Sequence, residues 1–264
     1  MSFINKLRVR VLVAAVLVSS LAGCGGGNDA GANTSTQGQP GTPTPAASGG
    51  QQSTNWSGYA LTGSSGSFSK VEGKWTVPTV KCAASDNTAS SSWAGIGGGT
   101  NSDPTLVQAG TEQDCSGGPS YYAWWEIIPL PSTTLDTQAY PVQAGDQITV
   151  TVNGSNAILW SITIKSSRGW TFNTSTPYTA AGATAEWIEE APLGVGTGGA
   201  GQVTLANFGR VAFSALKANG ASPGLAPADR IVMVDANDGH IVANTSAAGA
   251  GGNSFAVCFG SAAC

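Results

Sequence analysis

From residue 54 onward the chain consists of short runs of β-branched and aromatic residues between turns rich in Gly, Ser, Asn and Pro, without an amphipathic helical pattern. The alternating run at 147–152 and the run at 157–164 are joined by N-G-S-N, which predicts a hairpin. The runs at 230–235 and 240–245 flank A-N-D-G and predict another. Roughly a dozen strands without helical crossovers require antiparallel pairing and two packed sheets. The sequence therefore predicts an all-β domain.

The N-terminal part of the chain has a different composition. Residues 1–23 combine a basic start with an apolar run that is too short to span a membrane, which predicts a signal peptide. The run ends in L-A-G-C, as in bacterial lipoproteins, so Cys24 is predicted to be the lipidated first residue of the mature chain. The alternative is ordinary cleavage nearby, with Cys24 incidental. Residues 24–53 contain almost no large apolar side chains and predict a flexible tether, which leaves 54–264 as one domain.

The charge balance excludes several classes of partner. Without the three basic residues of the predicted signal peptide, eight basic residues face fifteen acidic ones, a net charge of −7. This balance argues against nucleic acid and against an electrostatic membrane surface, so membrane association is expected only through the lipid anchor. Few charges and many Ser and Thr fit an exported, acid-tolerant protein, secreted or anchored to the cell envelope.

Apart from Cys24 the chain has four cysteines, an even number that predicts two disulfides in an exported protein. Sequence alone allows three pairings of four cysteines. The pairing Cys82–Cys115 with Cys258–Cys264 is favoured because the second pair is local and would fix the C-terminus. Neither spacing is typical of a zinc site.

Most hydrolytic machineries lack their residues here. The chain has one histidine, His240, beside a predicted hairpin turn, where it is a poor member of a Ser-His-Asp triad. G-x-S-x-G and H-E-x-x-H are absent, and Gln138 interrupts the D-T-G signature of pepsin-like peptidases. No metal site or cofactor is predicted. Carboxylates and polar amides remain as candidate catalytic groups.

Two polar residues interrupt otherwise apolar strands: Gln108 in L-V-Q-A-G-T and Glu186 in A-T-A-E-W-I-E-E. Because side chains alternate along a strand, Gln108 shares a face with Leu106, and Glu186 shares one with Ile188. A carboxylate in an apolar strand is costly unless it meets a partner or a wet groove, so both are candidate site residues. The alternative is that both lie on a solvated sheet face.

The chain resembles the glutamic peptidase (eqolisin) family. The resemblance covers residues 54–257. It rests on motifs that occur in the family's order: S-T-N-W-S-G-Y-A at 53–60, W-A-G-I-G-G at 93–98, L-V-Q-A-G at 106–110, Y-A-W-W-E at 122–126 and A-E-W-I-E-E at 185–190. Residues 205–213 and the A-N-D-G hairpin also match the family's later segments. It implies a β-sandwich of two curved antiparallel sheets, of the concanavalin A-like or jelly-roll type. The chain would be a lipoprotein-type member that acts on polypeptides, expected to be a monomer.

The resemblance also implies site residues. The family's catalytic dyad falls on Gln108 and Glu186, and its substrate groove falls on Trp93, Trp124 and Glu126. In two places the chain departs from the family pattern, which often has Asp at each: this chain has Gly at 97 and Tyr at 122. These departures concern what the groove accepts.

The expected function is therefore that of an acid endopeptidase, in which Glu186 activates water and Gln108 stabilises the oxyanion. A glycoside hydrolase is a second reading, with Glu186 and Glu126 as its carboxylate pair. A non-catalytic surface module that binds glycans or peptides through Trp93 and Trp124 is a third.

Overall fold

The computed structural model describes residues 44–45, 50–99, 103–156, 158–196 and 199–264. The signal peptide predicted over 1–23, Cys24 and most of the predicted tether lie outside the described residues. The described residues form strands and one 3-10 turn, Pro227–Asp229, without an α-helix, which confirms the predicted all-β class. No helix in the described part of the chain is long and apolar enough to cross a membrane.

The strands, in chain order, are β1 Thr44–Pro45, β2 Gln51–Ser53, β3 Trp56–Thr62, β4 Lys70–Thr76, β5 Asn87–Gly97, β6 Leu106–Ser116, β7 Pro119–Ile128, β8 Thr133–Thr134, β9 Gln147–Asn156, β10 Leu159–Ser166, β11 Thr171–Pro177, β12 Thr184–Glu190, β13 Leu193–Gly196, β14 Gly199–Gln202, β15 Thr204–Leu205, β16 Arg210–Ala218, β17 Arg230–Val234, β18 Ile241–Thr245 and β19 Phe255–Phe259.

These strands build two layers. The front sheet has the order β7-β6-β5-β12-β3-β17, and the back sheet has the order β19-β16-β4-β9-β10-β11. Both predicted hairpins are present, as β9–β10 and β17–β18. Because β18 also pairs with β19, the second hairpin carries the ladder from the front sheet to the back sheet. Pairing is antiparallel except for the short pairs β15–β5 and β17–β2.

The core lies between the layers and follows from the period of two. In β9 the side chains of Ile148, Val150 and Val152 are buried, while their neighbours in the strand are more exposed. Each such burial contributes about 1.5–3 kcal/mol. Two tryptophans tie the layers together: Trp187 of the front sheet donates to the Glu72 carbonyl at 2.9 Å, and Trp75 of the back sheet donates to the Thr111 hydroxyl at 2.9 Å. The polar atoms of both indoles are thereby satisfied in an apolar layer.

Two disulfides are present, Cys82–Cys115 and Cys258–Cys264, the pairing that the sequence analysis favoured. The first joins the loop after β4 to β6, and the second fixes the C-terminus to β19. Strand pairing also reaches into the segment predicted as a tether, because β2 runs alongside β17 and β1 pairs with β2. Backbone N–H and C=O groups of β17 that do not pair with β3 gain hydrogen-bond partners in β2.

Candidate active site

Strand register brings Gln108 and Glu186, the two polar residues in otherwise apolar strands, into one row across the front sheet. Across the front sheet Glu186 lies opposite Gly95, Gly95 lies opposite Gln108, and Gln108 lies opposite Glu126. Ala60 completes this central row on the other side of Glu186. Adjacent strands are about 4.8 Å apart, so the backbones of Glu186 and Gln108 are separated by about 10 Å. Their side chains share the face directed away from the back sheet.

Gly95 occupies the position between the two polar side chains. A Cβ atom there would lie 3.0 Å from the Cβ of Gln108 and 3.1 Å from the ring of Trp93, which is tighter than ordinary packing. Glycine leaves this position without a side chain, so nothing projects between Gln108 and Glu186 from the strand that separates them.

Glu186 is fully buried. Burial raises its pKa well above the ordinary value of a glutamate; the nearby Thr184 hydroxyl opposes the shift and the Asp103 carboxylate adds to it. Among the described residues neither carboxylate oxygen of Glu186 has an aligned hydrogen-bond donor. The loop after β5 passes over it, since a Cβ on Gly99 would lie 2.9 Å from Oε1. Burial therefore disfavours the ionised form of Glu186 relative to an exposed glutamate.

Gln108 is held on one side only. Its Nε2 donates a 2.6 Å hydrogen bond to Oε2 of Glu126, while its Oε1 is buried without a partner among the described residues. Burial raises the pKa of Glu126, and the bond from Gln108 opposes that shift. One N–H and the carbonyl oxygen of the Gln108 amide thus remain for a ligand.

The tryptophans predicted to contact substrate lie one row further along the same face. This tryptophan row contains Ile188, Trp93, Gly110 and Trp124 in register. Trp93 packs edge-on against Trp56 at a centroid distance of 5.0 Å. Its Nε1 donates to Glu190 at 2.6 Å, and that of Trp124 donates to Ser91 at 2.9 Å. Both rings are almost completely buried, so they form the floor of this face rather than an exposed edge.

A third row carries acidic groups that the sequence analysis did not select. This acidic row contains Glu190, Ser91, Glu112 and Tyr122 in register. Burial raises the pKa of Glu190 to about 8, against hydrogen bonds that include the one from Trp93. Burial, with the neighbouring Asp114 charge, raises that of Glu112 to about 8. The sequence could have indicated these residues. Each glutamate lies four residues after a member of the central row, and side chains four positions apart in a strand share a face.

The two departures from the family pattern have structural counterparts. Gly97 has a φ of 101°, and a Cβ there would come within 2.1 Å of the Thr105 carbonyl oxygen. This backbone therefore excludes an aspartate at that position. Tyr122 is the end of the acidic row, where its hydroxyl is hydrogen-bonded to Glu112 and Asp114 and its pKa is raised, chiefly by burial.

Two further sets of titratable side chains lie outside the three rows. Asp103, which the sequence analysis also missed, is buried in the loop that precedes β6 and accepts a 2.9 Å bond from the Thr105 amide. At the exposed β17–β18 turn, ligand atoms of Asp235, Asp238 and His240 lie within 4.8 Å of one another. His240 is hydrogen-bonded to Asp238 at 2.5 Å, and the Asp235 carboxylate accepts from the turn, so these groups stabilise the hairpin.

Comparison with known proteins adds independent information. The sequence profile described as the Peptidase A4 family matches residues 54–257. Aspergillopepsin-2 from Aspergillus niger is 28% identical over 223 residues, which cover 75% of this chain and 76% of that protein.

Solved structures show the same fold. Scytalido-glutamic peptidase with a transition state analog inhibitor superposes with a TM-score of 0.66 at 21% identity, over 78% of this chain and 98% of that one. SCP-B, a member of the eqolisin family in complex with the tripeptide Ala-Ile-His, gives 0.60 at 20% identity over the same shares. Aspergilloglutamic peptidase from Aspergillus niger gives 0.53 at 27% identity, over 65% of this chain and 99% of that one. The β-sandwich predicted from the motifs is thereby confirmed.

Proposed function

The chain belongs to the Peptidase A4 (eqolisin) family and is a glutamic-type peptidase; from this premise we propose that Glu186 and Gln108 are its catalytic pair. The observation that carries the proposal is the register of the central row, which places the two side chains on either side of Gly95, on one face. Among the described residues, Oε1 of Gln108 and both carboxylate oxygens of Glu186 are buried without an aligned hydrogen-bond partner, which supports the proposal because a ligand would supply such bonds.

The chemistry follows from what the two groups can exchange. The reaction begins from the ionised form of Glu186: a water molecule between the two side chains gives a proton to the carboxylate while the water oxygen bonds to the scissile carbonyl carbon. The free N–H of Gln108 donates to the developing oxyanion, and its Oε1 accepts from the attacking water. The C–N bond then breaks as Glu186 returns the proton to the leaving amine. No covalent intermediate forms. The raised pKa of Glu186 suits the second step, because a buried carboxyl retains its proton until the amine needs it.

The glycoside hydrolase reading gains no support from the register. Glu186 and Glu126 lie three strands apart, about 14 Å between backbones. Glu126 is moreover engaged by Gln108. No observation on this sheet face favours that reading over peptide hydrolysis.

We further propose that the domain works outside the cytoplasm as a monomer, exported by the signal peptide over 1–23 and tethered by the part of residues 24–53 that precedes β1. Lipidation at Cys24 would keep it at a membrane surface. The two disulfides are compatible with export, because such bonds persist in oxidising compartments. The substrate would be an extended polypeptide lying across the central and tryptophan rows.

The peptidase assignment is tested by incubating the purified protein with a denatured protein substrate at about pH 4, with and without pepstatin, and identifying new N-termini by mass spectrometry. We expect cleavage that pepstatin does not inhibit, because the chain has no D-T-G or D-S-G signature. Sugar release from glycans with the protein substrate intact would favour the glycoside hydrolase. Ligand retention on a column without any cleavage would favour the binding module.

Glu126 is expected to act as a positioning residue, because its bond orients the Gln108 amide. Replacing Glu126 with Leu removes the acceptor, so kcat should fall by about 10²-fold with little change in KM. Glu126→Gln retains an acceptor oxygen and should keep kcat within a few-fold. If Glu126 instead contacts only substrate, Glu126→Leu will raise KM at unchanged kcat. Steady-state kinetics on one fluorogenic peptide separate the two roles.

The gap at Gly95 has its own test. Gly95→Ala places a methyl group between Gln108 and Glu186, so kcat/KM should fall by at least about 10-fold. Gly154→Ala is the matched control, since its added Cβ meets the Trp160 ring equally closely, at 3.1 Å, but in the back sheet. It should lose thermal stability to a similar degree and keep its activity. Equal activity losses in the two variants would show that packing, and not the gap, is responsible.

A further inference from the structure

A cavity of about 500 Å³ lies on the other face of the front sheet from the central row. Its wall includes Tyr59 of β3 and Arg230 of β17, which lie opposite each other in the ladder. Their sequence neighbours Ala60 and Ile231 pack on the face that carries Glu186. Because side chains alternate along a strand, the cavity is separated from the proposed catalytic pair by the thickness of the sheet. It is a distinct site.

The rest of the lining leaves room for a small ligand. Most of it is glycine or alanine, and the buried Tyr59 ring and Leu225 provide apolar surface. The Tyr59 hydroxyl is committed to the Ser246 carbonyl at 3.0 Å. The space is therefore largely apolar, with a single cationic side chain at its wall.

That cation forms no ion pair with any of the described residues. Nε of Arg230 is buried without a hydrogen-bond partner, and the guanidinium joins none of the ion pairs found in the described ranges. The adjacent Asp229 carboxylate is used by the Ala226 amide at 2.9 Å. The charge of Arg230 also reaches the cavity wall: burial raises the pKa of Tyr59, the guanidinium partly counters the rise, and the Asp229 charge adds to it by a smaller amount. An anion in the cavity would supply the missing partner.

The charge at the cavity wall narrows the class of anion. The amides of Leu225, Gly249 and Gly252 already donate to backbone carbonyls and are not available to a ligand. The one cationic side chain in the lining matches a singly charged carboxylate better than a phosphate dianion. We propose that this cavity binds one carboxylate attached to a short aliphatic group, with Arg230 as its charge partner. The carboxylate could belong to a free acid or to the C-terminus of a short peptide.

The test is ligand-observed NMR on the full chain with isobutyrate and with N-acetyl-Ala-Ala as the two sources, and isobutyramide as the neutral control. At about pH 5.5, where both carboxylates are ionised, we expect at least one acid to bind with Kd on the order of 1 mM, and the amide not to bind. At about pH 3.5 the binding of isobutyrate should weaken on the order of 10-fold, because that acid is then mostly protonated while arginine is not, whereas the dipeptide, with an α-carboxyl pKa of about 3.5, should lose only about 2-fold. If only isobutyrate binds, the source is a free acid; binding of the dipeptide assigns the site to peptide C-termini.

Two variants keep the proposal open to refutation. Arg230→Met retains the aliphatic stem and removes the charge, so it should weaken acid binding by at least about 10-fold. Ala250→Phe adds bulk to an exposed position in the lining and should abolish binding while the thermal unfolding midpoint stays unchanged. The proposal would be overturned if both acids failed to bind, if acid and amide bound equally, or if binding were unchanged in Arg230→Met. Peptidase activity is independent of these outcomes.

Discussion

Glu186→Gln is expected to lower kcat/KM for peptide hydrolysis by about 10³–10⁴-fold, the contribution of a general acid–base group. Glutamine has the same shape but can neither take a proton from water nor return one to the leaving amine. Because Glu186 is buried and burial disfavours its ionised form, the neutral amide should be tolerated. The thermal unfolding midpoint at acidic pH should therefore stay close to that of the unchanged protein, while the initial rate with a quenched fluorescent peptide disappears.

Glu189 provides the matched control. It lies three residues further along β12 and is equally buried, but it points to the core, where the Ser92 hydroxyl donates to it at 2.5 Å. Glu189→Gln removes the same carboxyl chemistry from the opposite face and should retain activity within a few-fold. If Glu189→Gln lost as much activity as Glu186→Gln, the loss would result from replacing a buried carboxyl in β12 and not from proton transfer by Glu186.

The second large effect is a loss of folding stability as the pH rises. Burial raises the pKa of Glu112 and Glu190 to about 8 and that of Glu189 to about 7, from an ordinary value of 4.5. Below pH 4.5 both the folded and the unfolded chain hold these protons, so the stability is fully present. Between pH 4.5 and the folded pKa, only the folded chain holds them, and stability falls as pH rises. Each group removes on the order of a few kcal/mol across this window.

Total stability of a domain is about 5–15 kcal/mol, so the unfolding midpoint should fall steeply between about pH 4.5 and pH 8. Glu72 acts in the opposite direction, since its bond to Lys70 lowers its pKa, but it is near the surface and its contribution is small. Thermal unfolding followed by circular dichroism at several pH values measures the curve. Glu189→Gln should make it shallower. A midpoint that rises from pH 4.5 to pH 8 would contradict this account of the buried carboxyls.

This stability curve also bears on the activity window. The acidic row lies four residues from the central row on the same four strands, β12, β5, β6 and β7. Ionisation of Glu112 and Glu190 as pH rises would therefore disturb the strands that hold Glu186 and Gln108. We accordingly expect the acidic optimum predicted from the sequence to reflect loss of the folded site at higher pH, in addition to proton transfer at Glu186.

The sequence was sufficient for the fold class because period-two runs and turn signals are local properties. The two hairpins and the disulfide pairing followed from the same kind of information. What local patterns could not supply is the register between distant strands: Glu186 and Gln108 are 78 positions apart, and only pairing of both strands with β5 aligns them. The gap at Gly95 and the bond from Gln108 to Glu126 depend on that register. The buried acidic row was missed because glutamate in a strand is usually read as solvent-facing.

The central claim is that Glu186 and Gln108 act as one unit, and a double-variant comparison tests it most directly. We would measure kcat/KM at about pH 4 for Gln108→Ala, Glu186→Gln and the combination, with the same peptide and with folding verified for each. When residues work together on one transition state, removing the second after the first costs little. The combined variant should therefore be no slower than the slower single variant. Losses that multiply, or near-full activity in either single variant, would contradict the catalytic pair.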